Sequence, residues 1–141
     1  MSLQNKTASG FSLIELLVVL VILGLLAAVV APNVMNKLGG AKSKTTRLQI
    51  EELGAALDIF SLEVGRYPSS EEGLKALAIN PNNSSNWNGP YLKKKTVPVD
   101  AWGNDYHYKY PGDHGDYDLY SLGADNSNGG EKDNADINSW Q

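Results

Sequence analysis

Glu15 is the only charged residue in the apolar run Phe11–Ala31, FSLIELLVVLVILGLLAAVVA. An acid at membrane depth costs about 2.5 to 3.5 kcal/mol even on lenient insertion scales, so it must either reach the headgroups or find a partner. Gly10-Phe11 marks an abrupt border between a polar, lysine-bearing leader and this run. Cleavage after Gly10 would create a free α-amine on Phe11, one helical turn from Glu15, at the i, i+4 spacing that pairs opposite charges. A second chemical cluster lies near the C-terminus. Asp125, Asp133 and Asp136 are interleaved with Asn126, Asn128, Gly129, Gly130 and Asn134. Oxygen-rich, flexible loops of this kind suit calcium, and the spacing from Asp125 to Asp136 echoes an EF-hand. As an EF-hand it is a poor one. Gly129 falls where a side-chain ligand belongs, Asp136 replaces the bidentate glutamate, and strand-like sequence precedes it. A solvated Asx-rich turn is the alternative, and the residues alone leave both readings open. His107, His114 and Ser121 supply fragments of a hydrolytic set, but no nucleophile elbow, phosphate-binding glycine loop or paired-histidine motif accompanies them. The histidines read as solvated, and no enzyme is indicated.

The elements that must position these residues follow from periodicity. As a helix the Phe11–Ala31 run is about 30 Å long, enough to cross the hydrocarbon core of a bilayer. A cleaved secretory signal is the rival reading, with Ala27, Ala28 and Ala31 imitating a small-residue cleavage site, but the apolar run exceeds the usual length of about 7 to 15 residues. Lys6, in a leader without acids, favours a cytoplasmic N-terminus. Beyond the span, Pro32 removes a backbone donor and is expected to kink or open the helix, with Gly39-Gly40 as a second weak point. Ile50, Leu53, Leu57, Phe60 and Val64 then step by three and four, which predicts a helix face packed on a globular core. On the same helix Lys42, Lys44 and Arg47 precede Glu51, Glu52 and Asp58, suggesting either a solvated face or contacts between subunits.

Gly65 and the following Tyr67-Pro68 end that helix. Ser69 or Ser70 can cap a short helix carrying Leu74 and Leu77, and Asn80–Pro90 reads as a loop. Two alternating stretches, 106–110 and 116–122, flank the turn-forming Pro111–Gly115 and predict an antiparallel hairpin. Lys93-Lys94-Lys95 reads as a solvated loop. With 141 residues there is room for one compact domain after the anchor, and a net charge of −4 argues against general nucleic-acid binding. The chain has no cysteine, which removes disulfides and thiolate chemistry.

The stretch GFSLIELLVVLVILGLLAAVVAPN resembles the N-terminal signature of type IV pilins and type II secretion pseudopilins. That resemblance implies a prepilin peptidase that cuts after Gly10 and N-methylates Phe11. It also implies that Glu15 pairs with the N-terminal amine of a neighbouring subunit, so that the span, with Pro32 at its end, is both anchor and polymerisation surface.

Three further stretches, RYPSSEEGLKAL, VPVDAWGNDYHYKYPGDHGDYDLYSLGAD and ADINSW, resemble the periplasmic domain of type II secretion major pseudopilins. Type IV pilins usually close a C-terminal loop with a disulfide, so the lack of cysteine favours the pseudopilin branch. The resemblance implies a calcium ion bound through Asp125, Asp136 and the backbone carbonyl of Leu122. Where some members carry two adjacent acids, Ala135 precedes Asp136 here, leaving Asp133 as a candidate substitute ligand. The expected fold is α+β: a long N-terminal helix, part membrane span and part amphipathic, packed on a small antiparallel sheet with a metal-binding loop. The expected organisation is a cleaved leader over 1–10, a transmembrane assembly helix over 11–31, its amphipathic continuation over 32–65 and a periplasmic globular region over 66–141. The expected function is that of a structural subunit polymerising into a periplasmic pseudopilus for protein secretion from the inner membrane. Its implied partners are itself, minor pseudopilins, the inner-membrane assembly platform, the prepilin peptidase and the lipid bilayer, without nucleic acid. The alternatives are a membrane-tethered calcium-dependent adhesion module and a type IV pilus subunit.

Overall fold

A computed structural model describes residues 10–141 of the chain; the rest of the leader, Lys6 included, lies outside the described residues. Its first element is the helix α1, Leu13–Val64. Contacts divide the chain into two units that meet between Lys37 and Leu38, so that α1 contributes its first half to one and its second half to the other. In the first unit the helix is apolar and exposed, from Leu13 through Val34 and Met35. It is long and apolar enough to cross a membrane.

The expected interruptions of this helix are absent from its hydrogen-bonded assignment, which runs through both Pro32 and Gly39-Gly40. Proline removes its own N–H from the ladder and sets its ring against the Ala28 carbonyl, a cost of about 3 kcal/mol, and each glycine weakens the local preference by about 1 kcal/mol. The C-terminus is as expected: Gly65 adopts φ +86° and donates its N–H to the Ser61 carbonyl at 2.9 Å, a left-handed cap that favours glycine.

In the second unit α1 turns its apolar stripe inward. Ile50, Leu53, Leu57 and Phe60 are buried, and Val64 packs against them half-buried. They meet Leu74 and Leu77 from a short 3-10 helix, Gly73–Leu77, together with Tyr106, Leu119 and Ile137 from the sheet region. Each large side chain buried in this way contributes roughly 1.5 to 3 kcal/mol. The expected short helix therefore forms, but as a 3-10 turn. Its entry is a reciprocal pair in which Ser69 Oγ accepts from the Glu72 N–H at 3.2 Å and Glu72 Oε2 accepts from the Ser69 N–H at 2.8 Å.

The sheet has three antiparallel strands in the order β1-β2-β3: β1 is His107–Lys109, β2 is Asp118–Ser121 and β3 is Ile137–Asn138. Tyr108 faces Leu119 in the first pair and Ser121 faces Ile137 in the second. The hairpin expected from the alternating stretches is β1-β2, with the Gly112 N–H closing its turn on the Asp116 carbonyl at 3.1 Å. Strand β3 is two residues long, too short for alternation to betray it. It matters because the segment between β2 and β3 is the acidic loop.

Candidate functional site

Two places hold the chemistry expected from the sequence. At the N-terminal end of α1, Ser12 caps the helix, its Oγ accepting from the Glu15 N–H at 3.2 Å. Gly10, Phe11 and Glu15 are all exposed. Phe11 lies two residues before the start of α1 and Glu15 in its first turn, while Pro32 is exposed within the same helix. The carboxylate thus belongs to a surface of apolar side chains that nothing in its own unit covers.

The acidic loop, residues 122–136, is built from backbone and small residues. Gly123 has φ +68°, and a Cβ there would strike the carbonyl oxygens of Asp133 and Ala135 at 2.8 and 2.9 Å. Glycine is therefore required twice over, for its dihedral and for the approach of the two loop ends. The Ala124 N–H donates to the Asp133 carbonyl at 2.8 Å, and the Gly129 N–H donates to Asp136 Oδ2 at 2.9 Å. Asp125 folds its own turn, its Oδ1 accepting from the Ser127 N–H at 3.1 Å.

Asp136 Oδ1 is buried with no hydrogen-bond partner. An unpaired buried carboxylate oxygen carries its full desolvation penalty, so the position suits a cation that would supply the missing interaction. The expected donors, Asp125, Asp136 and the Leu122 carbonyl, are all oxygen, the donor chemistry a hard ion such as calcium takes. The expected three-acid cluster is a different matter. Among the described residues no three His, Cys, Asp or Glu side chains come together as a group able to hold a metal. The Asp133 carboxylate lies against Gly39 of α1, carried there by the 3-10 turn Lys132–Asn134.

A buried network not anticipated from sequence fixes where this loop begins. Asp100 is buried; its Oδ1 accepts from the N–H groups of Trp102 at 3.0 Å and Asn104 at 2.8 Å, while Oδ2 accepts from the Ser121 hydroxyl at 2.6 Å. Ser121 Oγ in turn accepts from the Gly123 N–H at 3.2 Å, and Asn104 Nδ2 donates to the Gly123 carbonyl at 2.9 Å. Both residues flanking the Leu122 carbonyl are held. The signal was available in Asp100-Ala101-Trp102-Gly103-Asn104, an Asx turn with Gly103 at φ +92°.

Ser121 is consequently a buried structural hydroxyl, not a nucleophile. The histidines are not merely solvated. His107 stacks on Tyr120 with ring centres 5.1 Å apart, and His114 stacks on Trp140 at 4.1 Å. His114 Nδ1 also lies 3.0 Å from Asp118 Oδ2. Burial pushes the Asp118 carboxyl upward, but donation from the Asp113 N–H, the His114 ring and the His114 N–H outweighs this and leaves it below the ordinary value. Lys93, Lys94 and Lys95 are exposed, as a solvated loop would be.

Comparison with known proteins covers both places. Residues 33–140 match the family described as "Type II secretion system (T2SS), protein G", and residues 5–31 match the "Prokaryotic N-terminal methylation motif". The chain is similar to the type II secretion system core protein G of Pseudomonas aeruginosa, at 48% identity covering 98% of this chain and 99% of that protein. It is similar to the core protein G of Vibrio cholerae at 43% identity, covering 97% and 94%. Among solved structures it resembles the major pseudopilin from the type 2 secretion system of enterohaemorrhagic Escherichia coli, with TM-score 0.64 and 32% identity over 77% of this chain and 95% of that one.

Proposed function

The chain belongs to the type II secretion system protein G family, and we propose that it polymerises through residues 11–31 into a periplasmic pseudopilus. It is a major pseudopilin, a structural subunit and not an enzyme. The methylation motif over residues 5–31 and the apolar helix fit an inner-membrane anchor. The observation that carries the reading is the exposed apolar half of α1 with one acid in it. In a membrane this surface faces lipid; in a filament it faces other copies. Cleavage after Gly10 leaves a charged amine on Phe11, and the Glu15 carboxylate of an adjoining subunit neutralises it where water is scarce. That pairing sets the axial register between copies. The N-terminus faces the cytoplasm before extraction and the region after α1 faces the periplasm. Minor pseudopilins, the inner-membrane assembly platform and the prepilin peptidase are the partners this cycle requires.

The acidic loop is the second working part. Leu122, through its carbonyl, and Asp125 and Asp136, through their carboxylates, would hold a calcium ion. When bound, the ion supplies positive charge to a segment where Lys132 is the only lysine or arginine between Asp113 and Gln141. Asp136 Oδ1 supports this reading, since it is buried without a donor. Asp100 and Ser121 keep the loop's first residues in place.

Mass spectrometry of the membrane-extracted protein tests the processing step. The expected product begins at Phe11 and carries one added methyl group; a chain retaining residues 1–10 in assembled filaments would overturn it. The adhesion-module alternative has no observation in its favour.

A further inference from the structure

We propose that Asp133 is a positioning residue of the acidic loop, seated on the side-chain-free backbone of Gly39, and that it is not a ligand of the cation. The two glycines in the middle of α1 have different surroundings. Gly39 is buried, while Leu38 and Gly40 beside it are exposed. What covers Gly39 is the Asp133 side chain: a Cβ at position 39 would fall inside the Asp133 carboxylate, whereas a Cβ at position 40 would meet nothing within 4 Å. Glycine is unfavourable in a helix interior relative to alanine, and at position 39 the approach of a loop side chain accounts for it. At position 40 nothing does.

The seat reaches both ends of the loop. Asp133 also accepts, through its carbonyl, the 2.8 Å bond from the Ala124 N–H, next to Asp125. Three residues on, Asp136 takes the Gly129 N–H on Oδ2 and leaves Oδ1 buried and unpaired. Fastening Asp133 to the helix thus fixes the spacing between the segment carrying Asp125 and the segment carrying Asp136. The helix and the loop become one energetic unit at this point. The consequence for the cation rests on the calcium reading above; the seat itself does not.

The experiment uses the full-length chain in detergent, as Gly40→Ala, Gly39→Ala and Asp133→Asn variants, with thermal melts in chelator and in calcium and titration calorimetry with calcium chloride. Gly40→Ala gains helix preference without a clash and should raise the melting temperature by about 3–6 °C in both conditions. Gly39→Ala has the same gain in preference but displaces Asp133, so it should show no rise, and its calcium affinity should fall by about tenfold or more, as when a supporting group around a metal site is lost. Asp133→Asn keeps the shape that fills the seat and should bind calcium close to the wild-type value. Gly39→Ala behaving like Gly40→Ala in both measurements overturns the proposal, and so does loss of calcium binding in Asp133→Asn, which would make Asp133 a ligand. A wild-type chain that binds no calcium overturns the calcium reading and leaves the seat to the melts in chelator: a deficit of Gly39→Ala against Gly40→Ala there upholds it, and equal melting of the two overturns it.

Discussion

Leucine, isoleucine and valine occupy both halves of α1, but only the second half buries a stripe of them, with Leu48, Ile59 and Leu62 left outside it. From Leu13 to Leu38 they are exposed, whereas Ile50, Leu53 and Leu57 are at most 3% exposed beneath the sheet. The carboxylates divide in the same way. Glu72 is met by the Arg66 guanidinium and the Ser69 N–H, and Asp100 by two backbone N–H groups and a hydroxyl. Glu15 has no such partner among the hydrogen bonds and ion pairs of the described residues, and Asp136 keeps one buried oxygen unpaired. The difference teaches where to look for function. Groups that the chain satisfies by itself build the domain, and the two it leaves unsatisfied are those the proposed function assigns to a second copy and an ion.

The largest effect should come from breaking this division at Glu15. Glu15→Ala should leave the subunit cleaved and membrane-bound yet abolish filaments, because insertion needs only the apolar surface while register needs the charge. Glu15→Gln keeps the shape and the headgroup-reaching capacity but loses the charge, and it should fail as well. Electron microscopy of sheared fibres reads the outcome; wild-type fibre yield from Glu15→Gln would show that the acid merely snorkels.

A smaller effect is expected at the loop. A ligand that binds only the folded chain stabilises it by mass action, about 2.7 kcal/mol at a hundred times the dissociation constant. Chelation should therefore lower the melting temperature of the wild type, and Asp136→Ala should melt alike with and without calcium. Asp136→Ala retaining a wild-type calcium response would return this carboxylate to the class of self-satisfied groups.

Much of this division was legible in the sequence, and unequally so. The apolar run, the i+3/i+4 stripe from Ile50 to Phe60 and the hairpin around Pro111–Gly115 announce themselves because each is a local periodic pattern. The capping pair Ser69 and Glu72 is equally local. Strand β3, the Asp100–Ser121 hydrogen bond and the Asp133–Gly39 contact join residues far apart in sequence, and no local pattern carries them. The acids of the C-terminal loop could be read from composition, but which of them face inward could not. At Pro32 the local rule for breaking helices is met by a helix that continues through it without a break in α1.

The smallest effect belongs to Glu72, which serves as the control for the comparison. The side-chain hydrogen bonds from Arg66, at 2.7 and 2.8 Å, and the bond from the Ser69 N–H outweigh burial and hold its carboxyl down from the ordinary 4.5 to about 2. A carboxyl more acidic in the folded than in the unfolded chain binds fewer protons when folded, so its contribution is complete above the unfolded value and disappears as pH falls from about 4.5 towards 2. Asp118, also held below its ordinary value, acts in the same direction, so the informative quantity is the difference between wild type and Glu72→Gln. Arg66 is 43% exposed, and solvent and salt therefore screen the pair. At neutral pH Glu72→Gln should cost about 1–2 kcal/mol, the worth of charge-assisted hydrogen bonds partly kept by the amide. It should flatten the acid slope and leave filament yield unchanged. Chemical denaturation at a series of pH values gives the slope; an unchanged slope would remove Glu72 from the groups that stabilise the fold, and lost filaments would show that a satisfied carboxylate can also serve assembly.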